Sequence, residues 1–220
     1  VSERKRKTIR KSNSTSTRRE ADLFDRFSDM GYLEQKFHQY VQRYKFTRPE
    51  KLLIQKALDF ATLAHNGQKR LEGSPYVTHP IRVASVILHE IAVMKCDVIC
   101  AALLHDVIED CSITLRELRN NFNDRIAQMV KTLSVDPRLE NAKTVYYQGI
   151  VNADEDVRLL KLCDRLDNLR SMRFQDNKTR IRRYTRETEK KYLPLAEGLH
   201  PYLHREMRTE ITHAKARLRR

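Results

Sequence analysis

Tryptophan is absent from the 220 residues, and glycine and proline occur only 5 and 6 times. So few turn-formers, set against many Leu, Arg, Lys and Glu, argue against a many-stranded sandwich or barrel and favour helices. Long apolar runs are missing too. The longest, Val98 to Leu104, is far too short to cross a bilayer. The first residues are basic with no apolar segment behind them, so no secretory signal is expected. The four cysteines, Cys96, Cys100, Cys111 and Cys163, lack the spacing of a disulfide framework or a zinc ribbon. Reduced thiols in a cytoplasmic protein are the expectation. Negative charge is in deficit, with 43 Lys and Arg against 29 Asp and Glu and a net charge of +14. Hydrophobic residues make up 40% of the chain, enough to bury a core at this length.

Residues 1–20 form a separate compositional unit. Eight Lys and Arg, interleaved with Ser and Thr, are opposed there only by Glu3 and Glu20. Such a segment cannot bury apolar area and reads as a disordered tail. Contact with nucleic acid or another polyanion is its functional reading, and a solubilising leader the plain one. From Ala21 onward apolar residues recur at three- and four-residue steps. Thr47-Arg48-Pro49-Glu50 and Thr114 with Glu117 are capping boxes, each opening a helix. Gly73-Ser74-Pro75 marks a loop, after which His79-Pro80 begins an apolar helix running toward Ile91. Further helices are expected near 97–110, 125–133, 138–150, 155–172, 178–199 and 202–218. The pattern predicts an all-α domain, a helical bundle of roughly eight to ten helices.

Polar residues stand where a core helix should be apolar. Ala101 to Leu104 reads as buried helix, yet His105, Asp106, Glu109 and Asp110 follow directly. On a continuous helix these four share an arc of roughly 140°. Burying three carboxylates beside an imidazole is costly unless a cation or proton compensates. A divalent metal supplies that compensation, and the alternative is a helix end whose acids reach solvent. Asp164 and Asn168 share a face four residues apart within an apolar helix, directed either into a pocket or onto a solvated surface. His79, where the Gly/Pro loop meets a helix, can project into a cleft or simply cap the helix.

Five strings in this order resemble the hydrolase domain of the RelA/SpoT family, a branch of the HD-domain metal-dependent phosphohydrolases. They are Ala64 to Arg70, Gly73 to Pro80, Ala101 to Asp110, Lys161 to Arg170, and Arg186-Glu187-Thr188 continued by Tyr192 to Ala196. The resemblance spans about residues 47–199 and implies an HD-type domain over residues 21–220. By size the chain is similar to metazoan SpoT homologues and bacterial small alarmone hydrolases.

The resemblance implies metal ligands at His79, His105, Asp106 and Asp164, with Mn²⁺ as cofactor. It implies Glu109 and Asp110 as the pair that orients and deprotonates water. It places Arg70, Asn168 and Ser171 in a nucleotide pocket, with Lys143 and Lys161 as phosphate contacts and Tyr192 lining the pocket or packing. The implied reaction is hydrolysis of the 3′-pyrophosphate of guanosine tetra- or pentaphosphate to GDP or GTP plus pyrophosphate. Departures from the family pattern are Leu71 where a second basic residue is frequent, Asp167 where long members carry histidine, and Cys111 where threonine is common. Leu71 and Asp167 bear on nucleotide selectivity, so an adenosine alarmone or the 2′-phosphate of NADPH stands as an alternative substrate. A non-catalytic HD protein that binds a polyanion or a partner is the alternative of another class.

Overall fold

The computed structural model describes residues 22–219, so the basic tail lies outside the described residues. Helices follow one another throughout. Residues 22–28 are helical. They are followed by α1 (Met30–Arg43), α2 (Arg48–Ala64) and α3 (Thr78–Ser85), the last continued by a π-helical turn (Val86–Glu90). Next come α4 (Cys96–Leu104), α5 (Val107–Asp110), α6 (Leu115–Asn121), α7 (Asp124–Leu133) and α8 (Ala142–Asn152). The chain ends with α9 (Glu155–Ser171), α10 (Lys178–Glu187), a second π turn (Thr188–Tyr192), α11 (Leu193–Glu197) and α12 (Pro201–Leu218). Among the described residues there is no strand, only an isolated bridge between Lys69 and Pro75. The all-α expectation therefore holds. None of the described helices is long and apolar enough to cross a membrane.

The centre of the fold is α4. Every residue from Val98 to Leu104 is buried, which explains why that stretch is apolar all round. It packs against α2, α3, α7 and α9. Both capping boxes form: Thr47 and Glu50 exchange side-chain and backbone bonds at the start of α2, and Thr114 and Glu117 do the same for α6. Asp154 caps α9 by accepting from the Val157 amide, and Glu155 and Asp156 place negative charge on its first turn.

Three stretches depart from the expected helices. The segment near 97–110 is not one helix. It breaks at His105 and Asp106, where His105 Nδ1–H donates to the Ala102 carbonyl at 2.8 Å and Asp106 opens to φ −98° and ψ −7°. The helix expected from 138 starts only at Ala142, because Asn141 takes a left-handed conformation (φ 55°) that ends the preceding turn. The segment 178–199 widens into a π turn just before Pro194, which has no N–H to continue the α ladder.

The loop between α2 and α3 is folded back on itself. The Arg70 amide donates to Ser74 O at 2.9 Å, and the Tyr76 amide to Gln68 O at 3.0 Å. Gly73 at the tip has φ 95°, a backbone conformation that only glycine adopts at little cost. This turn brings Arg70 and Tyr76 toward the ends of α4 and α9.

Candidate metal centre

Three helices converge on one point. α3 supplies His79, the end of α4 supplies His105, and α9 supplies Asp164, all buried. One ligating atom from each of the three lies within 4.8 Å of the other two, a spacing that suits a shared metal ion. Asp106 stands at the edge of this group. Its Oδ1 is 3.3 Å from His105 Nε2 and its Oδ2 is 3.7 Å from His79 Nε2. His79 Nε2 is itself 3.1 Å from Asp164 Oδ1.

The two imidazoles are turned the same way. His79 donates Nδ1–H to Asp167 Oδ2 at 2.7 Å, and His105 donates Nδ1–H to a backbone carbonyl. Both rings therefore aim Nε2 at the carboxylates. His105 Nε2 is buried without a hydrogen-bond partner, which is expensive unless something else binds it. Two inward Nε2 atoms, one of them orphaned, beside two carboxylates form a donor set that fits a divalent ion such as Mn²⁺, Fe²⁺ or Zn²⁺.

The charges are held by their neighbours. Burial opposes ionisation of Asp164, but the Lys161 ammonium at 2.7 Å and the hydrogen bond with His79 outweigh it and hold its carboxyl well below the usual range. Asp106 is likewise lowered, burial being overcome by His105 and His79. Burial and Arg70 both disfavour a charge on His79, yet its bonds to Asp164 and Asp167 raise its pKa. A metal on His79 Nε2 would take the place of a proton there, so metal affinity should depend on pH.

Glu109 and Asp110 sit beside the cluster on α5. Glu109 Oε2 accepts from the Val135 amide at 3.0 Å. Burial, with Asp106 and Asp110 nearby, raises the Glu109 pKa despite that bond. Asp110 Oδ2 accepts from the Tyr76 hydroxyl at 2.5 Å, and the same hydroxyl is 2.8 Å from Asp106 Oδ2. The Tyr76 pKa is raised by burial, by Asp106 and by its bond to Asp110, so the phenol keeps its proton. Its ring stacks on His65 with centroids 4.4 Å apart, and His65 is held in turn by Gln68 and Cys111.

Sequence reasoning assigned no role to Tyr76. Its only signal was a place inside the string around the Gly/Pro loop. Asp167, a departure from the family pattern, is 1% exposed and lies behind His79, bound to His79 and Arg82.

The remaining expected residues divide. Arg70 Nη2 donates to Asn168 Oδ1 at 2.6 Å, and Asn168 Nδ2 donates to Asp164 Oδ1 at 2.5 Å, so Asn168 adjoins the candidate ligand Asp164 and Arg70 reaches it through Asn168. The Lys161 ammonium is committed to Asp164 and lies 5.1 Å from the Tyr146 ring centroid. Ser171 is fully buried, its hydroxyl bonded to Asn168 O and Gln175, so it meets the site only through Asn168. Lys143 is exposed on α8 and, among the described residues, has no hydrogen bond or ion pair with the cluster. Tyr192 is buried against Arg165, with Tyr147 edge-on to it. Leu71 is 67% exposed.

An all-helical bundle that gathers two histidines and two aspartates from α3, from α9 and from the break between α4 and α5 defines a class of helical domains with a candidate metal site. Residues 57–200 match the model of the HD domain family, and the chain belongs to that family. It is 39% identical over 153 residues to a guanosine-3′,5′-bis(diphosphate) 3′-pyrophosphohydrolase of Aquifex aeolicus, covering 66% of this chain and 21% of that protein. It is 37% identical over 121 residues to the human guanosine-3′,5′-bis(diphosphate) 3′-pyrophosphohydrolase MESH1, covering 53% of this chain and 67% of that one. It is 36% identical over 178 residues to the bifunctional (p)ppGpp synthase/hydrolase SpoT of Escherichia coli, 24% of whose length is covered. The chain thus spans about a quarter or less of these bacterial relatives. A solved structure of a metazoan orthologue of SpoT shares the fold, with a TM-score of 0.68 at 24% identity over 77% of this chain and 98% of that one.

Proposed function

We propose that this domain hydrolyses the 3′-pyrophosphate of guanosine tetra- or pentaphosphate, using Mn²⁺ held by His79, His105, Asp106 and Asp164. The observation that carries the reading is the convergence of two inward-facing imidazoles and two carboxylates beside Glu109 and Asp110. The names of the relatives support this substrate. When bound, the ion acidifies a water molecule and offsets charge developing on the phosphoryl group.

The chain's own residues do the rest. Glu109, anchored through one oxygen by the Val135 amide and raised in pKa, is the general base that takes the proton of the attacking water. Asp110, fixed by Tyr76, orients that water. The water oxygen bonds to the phosphorus attached to the ribose 3′ oxygen, and the P–O3′ bond breaks. Pyrophosphate leaves with the new oxygen, and a proton returns to the 3′ oxygen. Arg70 and Asn168, joined by their hydrogen bond, hold the nucleoside beside Asp164. The excess of positive charge speeds encounter with a polyanionic nucleotide.

The test is product analysis of purified protein with guanosine tetraphosphate, with and without Mn²⁺, beside an adenosine alarmone and NADPH. Metal-dependent release of pyrophosphate and GDP is the expected result. Turnover confined to NADPH, with release of inorganic phosphate, would move the substrate elsewhere while keeping the site. No turnover of any of them, metal present, would leave only a binding role.

A further inference from the structure

Asp164 and Asp167 are three residues apart on α9, and His79 and Arg82 are three residues apart on α3. Residues at that spacing stand one above the other on a helix. The two helices pack together, and the four side chains form a chain of contacts, Asp164 to His79 to Asp167 to Arg82. Asp164 Oδ1 is 3.1 Å from Nε2 of His79, and Asp167 Oδ2 is 2.7 Å from Nδ1 of the same ring. Arg82 grips Asp167 with two prongs, Nε to Oδ1 at 2.8 Å and Nη2 to Oδ2 at 3.0 Å.

From this geometry we infer that Asp167 is a positioning residue for His79, its carboxylate holding the Nδ1 proton so that Nε2 is committed to the metal. The inference rests on the reading of His79 as a ligand. A buried carboxylate with no cation would be too costly to keep ionised, and Arg82 supplies the cation. Arg82 is itself closed off by the N-terminal segment. Its Nη1 donates to Phe27 O at 2.8 Å, and its guanidinium lies 3.6 Å from the centre of the Phe27 ring. Phe24 and Phe27 in turn pack against Phe174. His105 has no such support, because its Nδ1–H goes to the neutral Ala102 carbonyl. An ionised acceptor raises the basicity of the ring it holds more than a neutral carbonyl does. His79 is therefore the stronger imidazole donor of the pair, and Asp167 is the reason.

The test is Mn²⁺ titration by calorimetry and the visible spectrum of the Co²⁺-loaded protein, on the full chain. In Asp167→Asn the side-chain amide can keep the Arg82 contact through its oxygen only by turning its NH₂ toward His79. That turn favours the wrong tautomer and should weaken metal binding by about 10–100-fold, with a shifted Co²⁺ band. The same variant strands the Arg82 charge and loses stability. Arg82→Met with Asp167→Leu removes both charges together and leaves Nδ1 of His79 no acceptor at that position, so the thermal midpoint should recover toward the parent while affinity and spectrum stay altered. Recovery of stability, affinity and spectrum together in the double variant would show that Asp167 serves packing only and would overturn the inference. Failure of the unsubstituted chain to bind either ion would overturn the metal reading itself, and this inference with it.

Discussion

Tyr76 gives the one proton of its phenol to Asp110 across 2.5 Å while lying 2.8 Å from Asp106. One side chain from a loop thereby ties an expected metal ligand to an expected water-orienting acid. Tyr76 precedes α3, whereas Asp106 lies in the break between α4 and α5 and Asp110 closes α5 one turn later, its amide donating to Asp106 O at 2.8 Å.

Removing only that hydroxyl should loosen both carboxylates without touching a ligand atom. Tyr76→Phe is expected to lower kcat by about 10–100-fold while the protein still takes up metal. Steady-state kinetics beside a Mn²⁺ titration checks this, and an unchanged kcat would show that the bridge is incidental.

Asp106 and Glu109 should separate binding from chemistry. Asp106→Ala is expected to lose both metal and turnover. Glu109→Gln should keep the metal and lose turnover by about 10²–10⁴-fold, the usual worth of a general base. Burial raises the Glu109 pKa above its ordinary 4.5, and the base acts only when ionised. Activity should therefore fall as the pH drops through a midpoint above that value. Measuring bound metal at each pH keeps this loss distinct from protonation of the ligands.

Arg70 reaches Asn168 and lies 5.3 Å from the Tyr76 ring centre, and among the described residues it makes no hydrogen bond to Glu109 or Asp110. Its truncation should cost binding rather than chemistry. Arg70→Ala is expected to raise KM about tenfold, matching one charged hydrogen bond, with kcat little changed. A kcat effect larger than the KM effect would place Arg70 in the chemistry.

Glu90 in the first π turn binds Arg170 of α9 through both oxygens, at 2.8 and 2.9 Å, and accepts from Tyr202 of α12. Burial pushes its pKa up, but Arg170 and Tyr202 more than reverse this, leaving it below the ordinary 4.5. The folded form thus holds its charge more tightly than the unfolded chain does. The resulting stability is complete above the unfolded value and drains away as the pH falls through the lower folded one. Glu90→Gln should cost about 1–3 kcal/mol at neutral pH, since a charged pair becomes a weaker one. Denaturant midpoints should converge between variant and parent as the pH drops below the carboxylate range.

The amino-acid order by itself determined the helices with strong local chemistry. The capping boxes at Thr47 and Thr114 and the apolar run from Val98 to Leu104 need only near neighbours, and they form as the spacing predicts. It also marked His105, Asp106 and Asp164, because polar groups inside apolar stretches demand a compensating partner, and His79, because it stands where the Gly/Pro loop meets a helix. It did not show the break at His105 and Asp106, because the apolar spacing of Val98 to Leu104 and of Val107 and Ile108 is equally compatible with one continuous helix. Nor did it reveal the roles of Tyr76 and Asp167. Their partners lie 30 or more residues away in sequence, and a hydrogen bond at that separation exists only after helices have packed. The fold class was legible in local periodicity, and the His105 ring is turned by its near neighbour Ala102, whereas the direction of the His79 Nε2 was decided by Asp167, which reaches the other side of that ring only in the packed fold.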